Sequence, residues 1–272
     1  MYVFLPSAER VADKGVLTSL SADTNTACAT MSWAGSNNTY CWGYNPYGGL
    51  GNNTTTNSSS PVQVQGLTYL GSSRVYAGSR SCSILNSQAG VACWGYGVYG
   101  QLGNGGNTSS STAALISLRG IISMALGAYH TCALDTAGKV DCWGANGSGQ
   151  LGFGDTTTRT TPSALTALTS PTAEIAAAGN STCARTAASA VYCCGENLEG
   201  QVGDGSAQTR LSPVQVQGLP AAAVSVRGAG GGGGHYCAQL ADASVWCWGL
   251  NVYGQLGDGT HASRFAPVRM QL

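Results

Sequence analysis

Eleven cysteines in this 272-residue chain are the residues whose chemistry depends most on spacing. Ten fall into pairs: Cys28 with Cys41, Cys82 with Cys93, Cys132 with Cys142, Cys183 with Cys193 and Cys237 with Cys247. Three pairs are ten residues apart and the others eleven and thirteen. Thiols held at such separations can oxidise to disulfides, each closing a short loop for at most about 3 kcal/mol of stability. The alternative is paired buried thiols acting as small apolar side chains. Strict pairing favours disulfides, and with them an oxidising, extracellular or cell-surface setting. Cys194, beside Cys193, is left over and is expected to be a buried free thiol. No Cys-x-x-Cys pair of the zinc type occurs, so no metal site is expected.

Other reactive side chains are sparse. His130 and His235 each stand two residues before the first cysteine of a pair, a slot that Thr26, Arg80 and Ser181 fill elsewhere. A slot so variously occupied suits a structural hydrogen bond better than a general base, and His261 has no sequence-adjacent partner. The run "GAGGGGGH" at 228–235 lacks the lysine and Ser/Thr of a phosphate loop and is expected to be a flexible insertion. Asp155, Asp204 and Asp258 recur in equivalent loops, but one carboxylate per loop is too few for calcium, and turn chemistry is expected. Arg159, Arg210 and Arg264, each three residues before a proline, are expected to tie loops of neighbouring copies together. Asn-x-Ser/Thr sequons begin at Asn37, Asn52, Asn53, Asn57, Asn107, Asn146 and Asn180, which Ser/Thr-rich loops generate by chance. No catalytic residue and no cofactor is implied. The rival class, a hydrolase or lyase, would need converging carboxylates, and little beyond Glu196 and Glu199 is on offer.

The elements that hold these residues come from a repeat. "CWGYNPYGGLG" (41–51), "CWGYGVYGQLG" (93–103), "CWGANGSGQLG" (142–152), "CCGENLEGQVG" (193–203) and "CWGLNVYGQLG" (247–257) align, with Cys194 in a tryptophan slot. Trp42, Trp94, Trp143, Cys194 and Trp248 are separated by 52, 49, 51 and 54 residues. Each unit offers about four short strands, such as "ISMAL", "HTCAL", "KVDCW" and "PVQVQ", punctuated by Gly, Asn and Asp. Such a repeat predicts an all-β propeller of five units of about 50 residues, either a five-bladed ring or an incomplete one, with a solenoid as the competing array. The units run at approximately 16–67, 68–118, 119–169, 170–219 and 220–272, after an N-terminal segment 1–15. In the third unit Thr136-Ala137-Gly138 suits a three-residue hairpin loop that sets Cys132 opposite Cys142, within disulfide reach.

Tyrosines mark one set of turns. Five residues past the tryptophan slot stand Tyr47, Tyr99, Ser148, Glu199 and Tyr253; two past it stand Tyr44, Tyr96, Ala145, Glu196 and Leu250. Tyr44, Tyr47, Tyr96, Tyr99 and Tyr253 are candidate binding residues for a protein or glycan partner, since tyrosine offers large area with little entropy to lose. In a closed ring of five, the fifth unit would adjoin the first and these tyrosines would form one arc.

Twelve basic and twelve acidic residues cancel, so no global field draws nucleic acid or an anionic membrane. Apolar residues make up 43% of the chain, which argues for a packed core, and no run is long enough for a transmembrane helix. The start "MYVFLPSAERVAD" has too short an apolar run and no basic flank for a secretory signal, so an oxidising destination expects a leader beyond it.

The stretch "HTCALDTAGKVDCWGANGSGQLGFGDTTTRTTP" resembles the regulator of chromosome condensation repeat, and the resemblance covers residues 16 to 271. It implies a propeller of units near 50 residues, usually seven to a ring, where five are counted here. It also implies guanine-nucleotide exchange on a small GTPase as one activity in the family. Neither a wedge insertion nor a basic tail supports that here. The paired cysteines are similar to those of extracellular variants of the family.

Overall fold

The computed structural model describes residues 15–33, 36–67, 71–85, 90–168, 170–229 and 234–271. Nearly all of the expected N-terminal segment, and 230–233 of the glycine run, lie outside the described residues. The described chain forms five four-stranded antiparallel sheets, each with its strands in sequence order. The first holds β1 (Val16–Ala22), β2 (Thr26–Trp33), β3 (Ser36–Gly43) and β4 (Ser58–Gln63). The second holds β5 (Ser72–Tyr76), β6 (Arg80–Leu85), β7 (Val91–Gly95) and β8 (Ser110–Ile116). The third holds β9 (Ile121–Leu126), β10 (His130–Asp135), β11 (Val140–Gly144) and β12 (Arg159–Leu165). The fourth holds β13 (Thr172–Ala178), β14 (Ser181–Thr186), β15 (Val191–Gly195) and β16 (Arg210–Gln215). The fifth holds β17 (Ala223–Gly228), β18 (His235–Leu240), β19 (Val245–Gly249) and β20 (Arg264–Arg269). The innermost strands β1, β5, β9, β13 and β17 line one central channel of about 520 Å³. The architecture is a β-propeller.

Local chemistry explains the strand register. Gly138, at φ +82°, closes the β10–β11 hairpin in the left-handed conformation that glycine adopts without a Cβ penalty. Leu134 then faces Val140 and Cys132 faces Cys142. The Cys132 and Cys142 Cα atoms are 4.1 Å apart and the residues are joined by a disulfide. The same register sets Cys28, Cys82, Cys183 and Cys237 opposite Cys41, Cys93, Cys193 and Cys247, and these pairs are also disulfides. Each outer strand is irregular just past the second cysteine. Pro61, Pro162, Pro213 and Pro267 sit in that irregularity, where a missing N–H costs no ladder bond.

The core lies between sheets. Leu50, Val64 and Trp94 join the first sheet to the second, and Leu102, Met124 and Trp143 the second to the third. Leu151, Ile175 and Ala184 join the third to the fourth, and Val202, Val226 and Trp248 the fourth to the fifth. Among the described residues no such cluster joins the fifth sheet to the first. A shared carbonyl latches successive sheets. Gly49 O accepts from Ser81 Oγ (3.1 Å) and Trp94 Nε1 (2.9 Å). Gln101 O accepts from Thr131 Oγ1 (2.9 Å) and Trp143 Nε1 (3.0 Å). Gln201 O accepts from Trp248 Nε1 at 3.0 Å. Inner-strand N–H groups that no ladder partner takes are satisfied from the preceding sheet: Val75 and Ala77 donate to Ser19 and Ser21 Oγ, and Met124 to Tyr76 Oη.

Candidate binding face

Two loops of every unit meet at one end of the propeller. The turn after the tryptophan slot donates a backbone N–H to the loop between the unit's first two strands. These bonds run from Tyr44 to Asn25, Tyr96 to Ser79, Ala145 to Tyr129, Glu196 to Asn180 and Leu250 to Gly234, at 2.9–3.0 Å. The turn is shaped by a buried asparagine three residues past the slot. Asn197 Oδ1 accepts the Val202 N–H at 2.8 Å, while its Nδ2 donates to Ser206 O and Gln208 O at 2.8 and 3.0 Å. Asn45, Asn146 and Asn251 bind the same way around Leu50, Leu151 and Leu256. The glutamine of each "GQLG" or "GQVG" element caps the turn: Gln101, Gln150, Gln201 and Gln255 Oε1 accept from Tyr99, Ser148, Glu199 and Tyr253 N. These asparagines recur in four of the five copies, a signal the tyrosine-centred reading passed over.

Rigid turns therefore hold the tyrosines outward. Tyr47 and Tyr96 ring centroids are 4.8 Å apart with planes at 64°, and Tyr99 and Tyr129 are 4.9 Å apart at 56°. Tyr96 lies 6.3 Å from Tyr99 and 6.1 Å from Tyr129, so four rings of three units share one cluster. Its hydroxyl pKa is raised by burial and by the neighbouring phenols of Tyr99, Tyr129 and Tyr47. Tyr47, Tyr99 and Tyr129 stay 45, 44 and 41% exposed. Tyr129 comes from the β9–β10 loop, which is why spacing along the turn did not find it. Tyr44 is exposed on the same end without a ring contact to the cluster, and Tyr253, 87% exposed, makes none either. The expected single arc of five tyrosines required the fifth unit to adjoin the first. Among the described residues no apolar cluster joins the fifth sheet to the first, and Tyr253 makes no ring contact with the four-ring cluster.

Charged side chains are largely committed. Arg159, Arg210 and Arg264 pair with Asp155, Asp204 and Asp258 at 2.9, 2.6 and 2.6 Å. Each pair lies within one unit's turn, which corrects the expectation that these arginines bridge neighbouring units. Hydrogen bonds from Arg159 and the Thr157 N–H hold the Asp155 carboxyl down at about 2. Burial pushes Asp258 up, but hydrogen bonds from Thr260, Arg264 and Asn251 outweigh it and bring it to about 2. The variable slot before each disulfide is structural. His130 Nε2 meets Thr182 Oγ1 at 2.7 Å, Arg80 Nη2 donates to Gly127 O and His130 O, and Ser181 Oγ contacts Tyr236 Oη at 2.9 Å. Burial, then Arg80, lowers the His130 pKa to about 3. Cys194 is buried 3.7 Å from Gln150 O, where other units place an indole N–H, and burial pushes its pKa up to about 12. Asn146 is wholly buried, so its sequon is closed in the folded state. Among the described residues no group of three His, Cys, Asp or Glu side chains could hold a metal ion. No helix of the described chain is long and apolar enough to cross a membrane.

The model of the regulator of chromosome condensation (RCC1) repeat matches residues 36–85, 90–134, 137–185, 189–239 and 242–272, and a second model of that repeat matches 121–150. The chain belongs to the RCC1 repeat family. It is 30% identical over 236 residues to the ultraviolet-B receptor UVR8 of Arabidopsis thaliana, a match covering 85% of this chain and 53% of the receptor. It is 29% identical over 247 residues to the E3 ubiquitin-protein ligase HERC2 of Homo sapiens, covering 89% of this chain and 5% of the ligase. The chain thus spans about half of one relative and a small part of the other. Among solved structures, Prp20p of Saccharomyces cerevisiae, studied for its binding to Gsp1p and histones, superposes with a TM-score of 0.78 at 21% identity. That match covers 93% of this chain and 63% of Prp20p, and it supports the RCC1-type propeller fold.

Proposed function

We propose that this RCC1-repeat propeller is a non-enzymatic interaction module that binds a protein through its loop end, in an oxidising compartment outside the cytosol. The observation that carries the reading is the packed, outward-facing cluster of Tyr47, Tyr96, Tyr99 and Tyr129. Exposed apolar patches on rigid turns are characteristic of binding surfaces, and Val98, exposed on the turn that carries Tyr96 and Tyr99, adds to this one. The five disulfides support the compartment. Prp20p, a relative in fold, binds proteins, which is consistent with the same use here. The test is affinity for a captured protein partner, measured with melting temperature, in Tyr47→Ala, Tyr99→Ala and the control Ser148→Ala. Each tyrosine variant should lose about 2 kcal/mol or more of binding, roughly thirtyfold, at unchanged melting temperature. Unchanged affinity in both would move the site off this face.

A further inference from the structure

Charges at the loop end are unevenly paired. Arg159, Arg210 and Arg264 are each neutralised by an aspartate of their own turn. Arg80 is buried and bonded to the carbonyls of Gly127 and His130, facing inward rather than to solvent. Among the described residues Glu196 and Glu199, on the fourth unit's turn, meet neutral partners only: Asn180 Nδ2 at 3.2 Å and Ser263 Oγ at 2.7 Å. Asp23, exposed in the β1–β2 loop, makes no ion pair among the described residues and feels Arg80 through space. Carboxylates without a paired cation therefore share this end with four tyrosine rings, and no exposed, unpaired cation accompanies them among the described residues.

Taking the loop end as the binding face, we propose that the protein segment it receives is cationic. Lysine or arginine side chains would seat over the ring faces of Tyr47, Tyr96, Tyr99 and Tyr129, and flanking cations would meet Glu196 and Glu199. The tilt of 54–67° between the rings turns several faces toward a shared approach. A cation over a tyrosine face is drawn by the ring quadrupole, which is worth about two- to fivefold in affinity per exposed ring. Converting Glu196 and Glu199 to glutamine removes the complementary charge without removing volume. An acidic segment would cover the same rings but meet repulsion from both glutamates. The chain is neutral overall, so the attraction is local to this end and salt weakens it.

The inference is tested by calorimetric titration of the full chain with octa-arginine and octa-glutamate peptides. Octa-arginine should bind, more weakly as salt rises, and octa-glutamate should not. Tyr99→Leu should weaken octa-arginine binding by about two- to fivefold, Tyr99→Phe should restore it, and Glu196→Gln with Glu199→Gln should weaken it and flatten its salt dependence. Melting temperatures of the variants exclude loss of fold. Equal affinity for both peptides, or octa-arginine binding indifferent to Tyr99→Leu and to the amide pair, overturns the proposal. Panning a peptide-display library on the natural chain and on the Tyr47→Ala, Tyr99→Ala double variant separates the two readings. Peptides that need the tyrosines but lack excess Lys or Arg overturn the cationic partner and leave the face standing. Peptides that bind both proteins alike overturn the face itself.

Discussion

His130 shows what a single buried residue does in this propeller. Its ring is fully buried, and Thr182 Oγ1 already donates to Gln150 O, so the imidazole supplies the N–H between them from Nε2. The folded pKa of about 3 lies far below the ordinary 6.5. Below pH 6.5 the unfolded chain binds a proton that the folded chain refuses. Stability from this residue is therefore full above that pH and is lost as pH falls toward 3, by up to about 1.4 kcal/mol per unit. Between pH 7 and 5 the carboxylates of Asp155 and Asp258 stay ionised and do not obscure the slope. Urea midpoints should fall between those pH values in the natural chain, and His130→Gln, which keeps an N–H for Thr182, should flatten the fall. An equal fall in both would assign the slope elsewhere. Sequence spacing showed that this slot tolerates Thr, Arg, Ser and His, and hence that its role is structural. It could not show the neighbour, because Thr182 belongs to the next unit and lies fifty-two residues away.

At the scale of the element, the turn after each tryptophan slot is the device that makes a face from a repeat. Asn197 satisfies a buried N–H and two carbonyls at once, so Asn197→Ala should cost about 1–3 kcal/mol, read as a lower urea midpoint. The second unit differs: Gly97 holds the slot, and a Cβ there would lie 2.2 Å from Thr108 O. That carbonyl is the counterpart of Thr56 O, which Asn45 Nδ2 holds at 3.0 Å. Without the amide the loop has closed in. Gly97→Asn, though it restores the pattern of the other units, should therefore destabilise, by about 1–3 kcal/mol for overpacking. A gain in stability would mean the loop reopens at little cost. The strand order, hairpin register and cysteine pairing were all legible in the sequence, because each depends on separations within one unit. The Tyr129 contribution and the glutamate–arginine pairing of Glu174 with Arg227 were not, since both join units whose mutual placement no local spacing fixes.

Across the whole molecule, the four buried interfaces among the described residues are variations on one contact, which makes the less buried slot of the first sheet a control. Trp94, Trp143 and Trp248 are fully buried, each donating Nε1 to a carbonyl of the preceding sheet. In the third of these interfaces Cys194 replaces the indole, and Leu165 and Pro213 come close to Gly152 beside it. Trp42 occupies the same slot in the first sheet, yet it is only partly buried and its Nε1 has no carbonyl partner among the described residues. At the other end Gln255 and Gly257 are partly exposed where Gln101, Gln150 and Gln201 are buried. A repeat contact of this kind stabilises only when a neighbour is present, so identical substitutions should differ by position. Trp143→Ala empties a closed interface and strands the Gln101 carbonyl with one donor, and about 3–5 kcal/mol should be lost. Trp42→Ala should cost well under half of that in the same chain. The measurement is the urea midpoint of both variants against the natural protein, with the slope checked for a change in cooperativity. Equal losses would mean that Trp42 is covered in solution, and that the first and fifth sheets meet, directly or through another sheet, to complete a ring.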